Sequence, residues 1–186
     1  MFIFLLTLSL LFLAYKVFCE QITIQNVFIF LLLTGLFLVL TFLAYFDFKK
    51  MEVHNTTSLY LLISLAILNI LLYLIFKDST GIRVIGEWVY NPYNNMIGAI
   101  VLGSIFQLIV LISKEKALGQ GDVRIALITG LLIGMSNLLE WGYITIFSAL
   151  IYGLILAFKK KKFKNLKIPL LPFMVLGILS VLLLVL

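Results

Sequence analysis

The chain reads as a succession of apolar runs, each about as long as a bilayer is thick, separated by short polar breaks. A helix crossing ~30 Å of hydrocarbon needs ~20 mostly apolar residues. Seven runs meet that demand, at 2–18, 26–46, 57–76, 95–113, 122–138, 141–158 and 168–186. Together they use nearly all of the 186 residues, of which 63% are hydrophobic and only 12% charged. An ordinary soluble domain is nearer ~45–50% apolar and could not hide this much apolar surface in one core. The expectation is an all-α, polytopic membrane protein of about seven transmembrane helices, forming a single membrane-embedded domain over 1–186. The first run has no basic segment before it and no small-x-small cleavage site, so it reads as a retained helix rather than a signal peptide. The single cysteine, Cys19, excludes an internal disulfide and any thiolate-rich metal site.

Loop charges give an orientation, because Lys and Arg concentrate on the cytoplasmic side. With the N-terminus in the cytoplasm, the loops after the second, fourth and sixth runs are cytoplasmic. They hold ten basic residues: Lys49, Lys50, Lys114, Lys116, Lys159–Lys162, Lys164 and Lys167. The other side holds three, Lys16, Lys77 and Arg83. This asymmetry accounts for the net charge of +6 without a nucleic-acid partner, and the run Lys159–Lys162 suits anionic lipid headgroups. Trp88, Tyr90 and Tyr93 fall in the longest outer loop, where aromatic rings fit the headgroup level. Helix starts are expected at Asn55-Thr56-Thr57-Ser58 and Asn94-Asn95, and Pro169 suits the first turn of the last helix.

Two acids stand out on this topology. Asp47 ends the second run and Asp122 starts the fifth, and the loop charges put both near the cytoplasmic face. Ionisable residues at membrane depth are costly and point to function. Two carboxylates that approach one another share one proton. The ionised partner can then act as general base on a water while the protonated one polarises a carbonyl, the division of labour of aspartic proteases. Gly119 and Gly121 precede the second acid, where a missing side chain admits a neighbouring helix or an extended peptide. Ala126, Gly130 and Gly134 follow at intervals of four, a spacing that packs helices backbone to backbone. Asn69, inside the third run, is expected to hydrogen-bond between helices, and His54, the lone histidine, to be a solvated loop residue.

Three segments carry a resemblance. Tyr45-Phe46-Asp47-Phe48-Lys49-Lys50-Met51-Glu52-Val53-His54-Asn55 looks like the first aspartate motif of type IV prepilin peptidases, with His54 where proline is usual. Leu118-Gly119-Gln120-Gly121-Asp122-Val123-Arg124 is similar to the second, Gly-x-Gly-Asp with a basic residue two places on. Ile168-Pro169-Leu170-Leu171-Pro172-Phe173 is similar to a terminal Ile-Pro-Phe-Gly-Pro-Phe, with Leu171 in place of the glycine. The three occur in family order across nearly the whole chain.

The resemblance implies an aspartic endopeptidase of the cytoplasmic (inner) membrane, with Asp47 and Asp122 as the catalytic pair. It implies cleavage of the basic leader from type IV prepilins or pseudopilins, in pilus assembly or protein secretion. Those substrates also have an apolar N-terminal helix, which would lie against the enzyme within the lipid. Gly119, Gly121 and Glu52 are the expected substrate-positioning residues. Glu52 and Glu115 can attract a basic leader. No metal or organic cofactor is expected. The methyltransferase domain of many bacterial members carries paired Cys-x-x-Cys motifs, which one cysteine cannot supply, so methylation of the product is not expected. Two other readings use the same residues: a proton relay in a small ion-coupled transporter, and a catalytically inactive scaffold for pilus or secretion-system assembly.

Overall fold

The computed structural model describes residues 24–51, 53–75, 82–85, 88–115, 118–161 and 168–185. The first apolar run, 2–18, lies outside the described residues. Those described form six helices: α1 (Ile24–Lys50), α2 (Asn55–Ile75), α3 (Pro92–Ser113), α4 (Gln120–Ile133), α5 (Leu138–Lys160) and α6 (Leu171–Val185). Four contain segments long and apolar enough to cross a membrane: Leu31–Lys50, Asn55–Ile75, Pro92–Ser113 and Leu138–Lys160. The protein is therefore an all-α, polytopic membrane protein. The only strands among the described residues are β1 (Ile82–Ile85) and β2 (Trp88–Tyr90), an antiparallel pair in the loop between α2 and α3.

The bundle is built around its two shortest helices. In α4, Val123, Ile125, Ala126 and the run Ile128–Ile133 are all buried. It packs against α2, α3 and α6. In α6, Leu171, Met174, Val175, Ile178 and Val181 are wholly buried, between α1, α4 and α5. The long helices around them turn Leu, Ile and aromatic side chains outward, as at Tyr60 and Leu74 of α2 and at Leu139, Ile146 and Phe147 of α5. Mostly buried helices inside and apolar surfaces outside are what lipid as solvent allows.

Burial of α4 has a consequence at its ends. Fourteen residues make a helix of only ~21 Å, shorter than the hydrocarbon layer. The sequence reading carried this span on to residue 138, but the helix stops at Ile133 and the chain turns at Gly134 (φ +73°). The last carbonyls of such a helix have no partner in their own helix and no water to reach. Side chains supply the partners. Asn95 Nδ2 donates to the Leu131 carbonyl at 2.9 Å and the Tyr90 hydroxyl to the same oxygen at 3.3 Å. Asn137 Nδ2 donates to the Ile133 carbonyl at 3.1 Å. Asn69 Nδ2 donates to the Tyr90 hydroxyl of β2 and, at 3.5 Å, to the Leu131 carbonyl of α4, so that it bonds between helices as expected. Tyr90 thus points into the bundle rather than to the headgroup level, whereas Tyr93 is exposed.

Other helix boundaries also shift from their expected places. The N-cap of α3 is Asn91, whose Oδ1 accepts from the Tyr93 and Asn94 N–H groups, and Pro92 opens the helix. The proline in the first turn of α6 is Pro172, while Pro169 lies outside the helix. Gly130 and Gly134 fit α4 to α3. A Cβ on Gly130 would strike the backbone of Ala99 and Gly98, and one on Gly98 would lie 2.7 Å from the Gly134 carbonyl carbon.

Candidate active site

The two acids arrive at one end of the bundle from different helices. Asp47 lies in the last turn of α1, which runs three residues past it to Lys50. The residue is 5% exposed. Its Oδ2 accepts the N–H of Leu171 at 3.1 Å, across 124 residues of sequence. Leu171 is the first residue of α6, so this N–H is one of the donors that a helix start leaves without a partner. The carboxylate of one helix therefore caps another, and it sits at the positive end of that helix's dipole.

Asp122 is held by the same device within its own helix. Its Oδ2 accepts the N–H of Gly119 at 3.0 Å, at the start of α4. The acid lies in the first turn of α4 and is half-buried. Two carboxylates are thus brought to one end of the bundle, each steadied by a backbone amide at the N-terminus of one of the two central helices.

The glycines before Asp122 differ in what they do. A Cβ on Gly121 would lie 2.6 Å from that of Val53, so its bareness lets the link between α1 and α2 lie against the start of α4. Gly119 is exposed and in an extended conformation (φ −92°, ψ 165°), and its contribution is its N–H. Arg124 Nη1 donates to the Asn55 carbonyl at 3.4 Å, a second tie between α4 and the start of α2. Gln120 Nε2 donates to Glu115 Oε1 at 3.4 Å, and both side chains are exposed. Glu52 lies outside the described residues.

His54 departs from its expected place in solvent. It is half-buried and caps α2: its carbonyl accepts the Ser58 N–H, and its Nδ1 lies 2.8 Å from the Thr57 hydroxyl. Its ring stands edge-on to Phe46 at 5.4 Å, and Lys50 Nζ lies 4.5 Å over the same Phe46 ring. Histidine in the usual proline position thus fixes the turn after Asp47 by capping the next helix.

What sequence reasoning did not foresee is the backbone N–H of Leu171, a residue it noted only for standing in place of the third segment's glycine. The signals for it were that segment and its proline pair, Pro169 and Pro172, which marks a helix start. On the far side of that start, Phe173 packs on Tyr152 of α5 (5.3 Å between centroids), and Tyr152 on Phe48 (6.2 Å). These rings flank the Asp47–Leu171 contact along the chain on both sides and tie α1, α5 and α6 together.

No curated protein and no solved structure matches the chain. The model of the type IV leader peptidase family matches residues 34–186, a stretch that includes both acids, the Gly119–Asp122 turn and the start of α6. By that match, this chain belongs to the type IV leader peptidase family, a family of aspartic peptidases.

Proposed function

We propose that the protein is a prepilin leader peptidase, with Asp47 and Asp122 as its catalytic dyad. The observation that supports this reading is the placing of the two acids, 75 positions apart in a family member's sequence, at one end of the bundle, each on an amide of a helix start. Asp47 and Asp122 hold a water between them. One carboxylate, ionised, takes a proton from it, while the other, protonated, donates to the scissile carbonyl oxygen. The tetrahedral intermediate collapses as a proton returns to the leaving amine. The Leu171 and Gly119 N–H groups hold the two carboxylates in place throughout and need no rearrangement during the reaction.

The end of the bundle that carries the acids also carries Lys49, Lys50, Lys114 and Lys159–Lys161. The basic-residue bias puts that end in the cytoplasm, and seven helices with the N-terminus inside complete the topology. In the cytoplasmic membrane, such a site faces the side on which the basic leader of a prepilin or pseudopilin remains. Gly119, Gly121 and Glu52 would position that substrate.

The test is a gel-shift cleavage assay with a prepilin from the same genome, in membranes or detergent, beside Asp47→Asn and Asp122→Asn variants. Removal of the leader by wild type and its loss in each variant are expected. Cleavage surviving either substitution would put the chemistry elsewhere, and an inert wild-type protein that is well folded would favour a scaffold.

A further inference from the structure

Between Met96 and Ile112, α3 carries only two polar side chains, Ser104 and Gln107. Both line one open groove between α3 and α4, of about 560 Å³, together with Gly103, Leu108, Val123 and Leu127. Ser104 is exposed and Gln107 half-buried. Among the described residues neither side chain has a hydrogen-bond partner. Asn69 and Asn95, two other amides facing α4, each donate through Nδ2, although Asn69 Oδ1 has no partner among the described residues. Gln107 lies inside a helix long and apolar enough to cross a membrane, where an unpaired amide is costly, so the groove suits an occupant that brings polar atoms to Gln107.

The depth of Gln107 identifies the occupant. The two helices run antiparallel, with Gly98 against Gly134 and Gly103 against the Leu127 side chain. One turn further along, Gln107 and Val123 line the groove together, and Val123 directly follows Asp122. Gln107 therefore lies at about the level of the acid. A peptide bond must leave helical form to be cleaved, and the unwound backbone then exposes N–H and C=O groups at membrane depth. A primary amide offers both a donor and an acceptor to such a segment. Leu108, 57% exposed, and Ile100, 64% exposed, border the same channel with apolar surface, which suits a helix beyond the unwound turn.

We propose that the α3–α4 groove receives the apolar helix of the substrate and that Gln107 is a positioning residue, hydrogen-bonding the unwound backbone next to the scissile bond. This rests on the leader-peptidase reading and adds where the substrate lies.

The experiment uses the full-length protein with Cys19→Ser and Asp122→Asn, so that a bound prepilin stays uncut. Single cysteines at Ser104→Cys or Leu108→Cys are paired with a single cysteine in the apolar segment of a prepilin from the same genome. Ile151→Cys, on the outward face of α5 at 56% exposure, serves as control. Disulfide cross-links from positions 104 and 108 but not from 151 are expected. Equal or preferred cross-linking at 151 would overturn the groove. So would a disulfide between Leu108→Cys and a cysteine placed at any of positions 4–10 that persists with saturating prepilin, since the chain's own first apolar run would then fill the groove. In an otherwise wild-type protein, Gln107→Leu should lower kcat/KM about tenfold, with Gln107→Asn recovering part of it and Tm unchanged in both. Unchanged kinetics for Gln107→Leu with an active wild type would overturn the groove alone. A wild type that cleaves no prepilin would overturn the leader-peptidase reading itself.

Discussion

The carboxylate of Asp47 accepts the N–H of Leu171 in a buried setting, and this contact joins α1 to the start of α6. A structural role therefore falls on the side chain proposed as catalytic, and two substitutions separate the two roles. Asparagine keeps an oxygen for the Leu171 N–H and removes the acid. Alanine removes both and strands a buried donor. A hydrogen bond to a charged acceptor contributes about 1.5–3 kcal/mol, and an orphaned buried N–H costs about as much. Asp47→Asn should therefore unfold close to wild type in detergent, while Asp47→Ala loses about 2 kcal/mol, and neither should cleave. Asp122→Ala gives a useful contrast. Its partner is the N–H of Gly119, which is exposed and can bond to water, so the loss should be about 1 kcal/mol or less. Thermal unfolding of the three variants would check the ranking, and equal losses at both alanines would refute the capping role given to Asp47. Both acids could be singled out in the sequence because carboxylates are rare in apolar runs and loop charges fix their depth. The Leu171 N–H could not. A backbone donor has no residue signature, and what remains is the proline pattern around it. The cap formed by His54 was hidden for a related reason, since a lone polar residue in a loop reads as solvated until its neighbours are known.

At the scale of the helix, glycines of one residue type divide into two classes with opposite expected effects. Gly130 faces α3 where a Cβ would strike the backbone of Ala99 and Gly98, atoms that cannot move aside without parting the helices. Gly142 of α5 has nothing within 4 Å of the position a Cβ would take. Overpacking a well-filled interface costs about 1–3 kcal/mol and more when backbone must shift. An open helix-interior glycine gains roughly 0.5–1 kcal/mol on becoming alanine. Gly130→Ala should therefore lower Tm and weaken cleavage together, and Gly142→Ala should hold or raise Tm with activity unchanged. A neutral Gly130→Ala would mean that α3 and α4 lie further apart than described. The spacing of Ala126, Gly130 and Gly134 made this close contact legible beforehand, because small residues at intervals of four have few other uses in a membrane helix. The length of α4 was not legible. Hydropathy extends through Leu131, Leu132 and Ile133 and on to Met135, so the run looked like a full span. What ends the helix is a positive φ at Gly134 and carbonyls taken up by Asn95 and Tyr90, contacts made across the bundle. Those polar partners on α3 and at the end of β2 are what allow a helix to stop inside apolar surroundings.

For the whole molecule, one asymmetry organises the rest. The starts of α2, α4 and α6 and the ends of α1, α3 and α5 gather at one end of the bundle, which carries both acids and the lysines of the connecting turns. Helix starts are positive dipole ends, so α4 and α6, the two buried helices, both present their positive ends to the carboxylates. Lipid excludes the reverse arrangement, in which carboxylates met the carbonyl ends of these helices without water between them. The all-α, polytopic class was plain from the apolar runs alone, and so was the sharing of one end of the bundle by the two acids, because connections between successive spans alternate sides. The short hairpin of β1 and β2 was not, since its strands of four and three residues carry too little pattern to stand out in a loop. The orientation can be tested without reference to catalysis. In a Cys19→Ser protein, Tyr93→Cys lies at the exposed start of α3 and Lys114→Cys at its opposite end. A thiol reagent that cannot cross the membrane should label position 93 in intact spheroplasts and position 114 only after permeabilisation. The opposite pattern would put both acids on the outer face. A basic leader retained in the cytoplasm could not then reach them, and the leader-peptidase reading would fall with the topology even with both carboxylates at one end of the bundle.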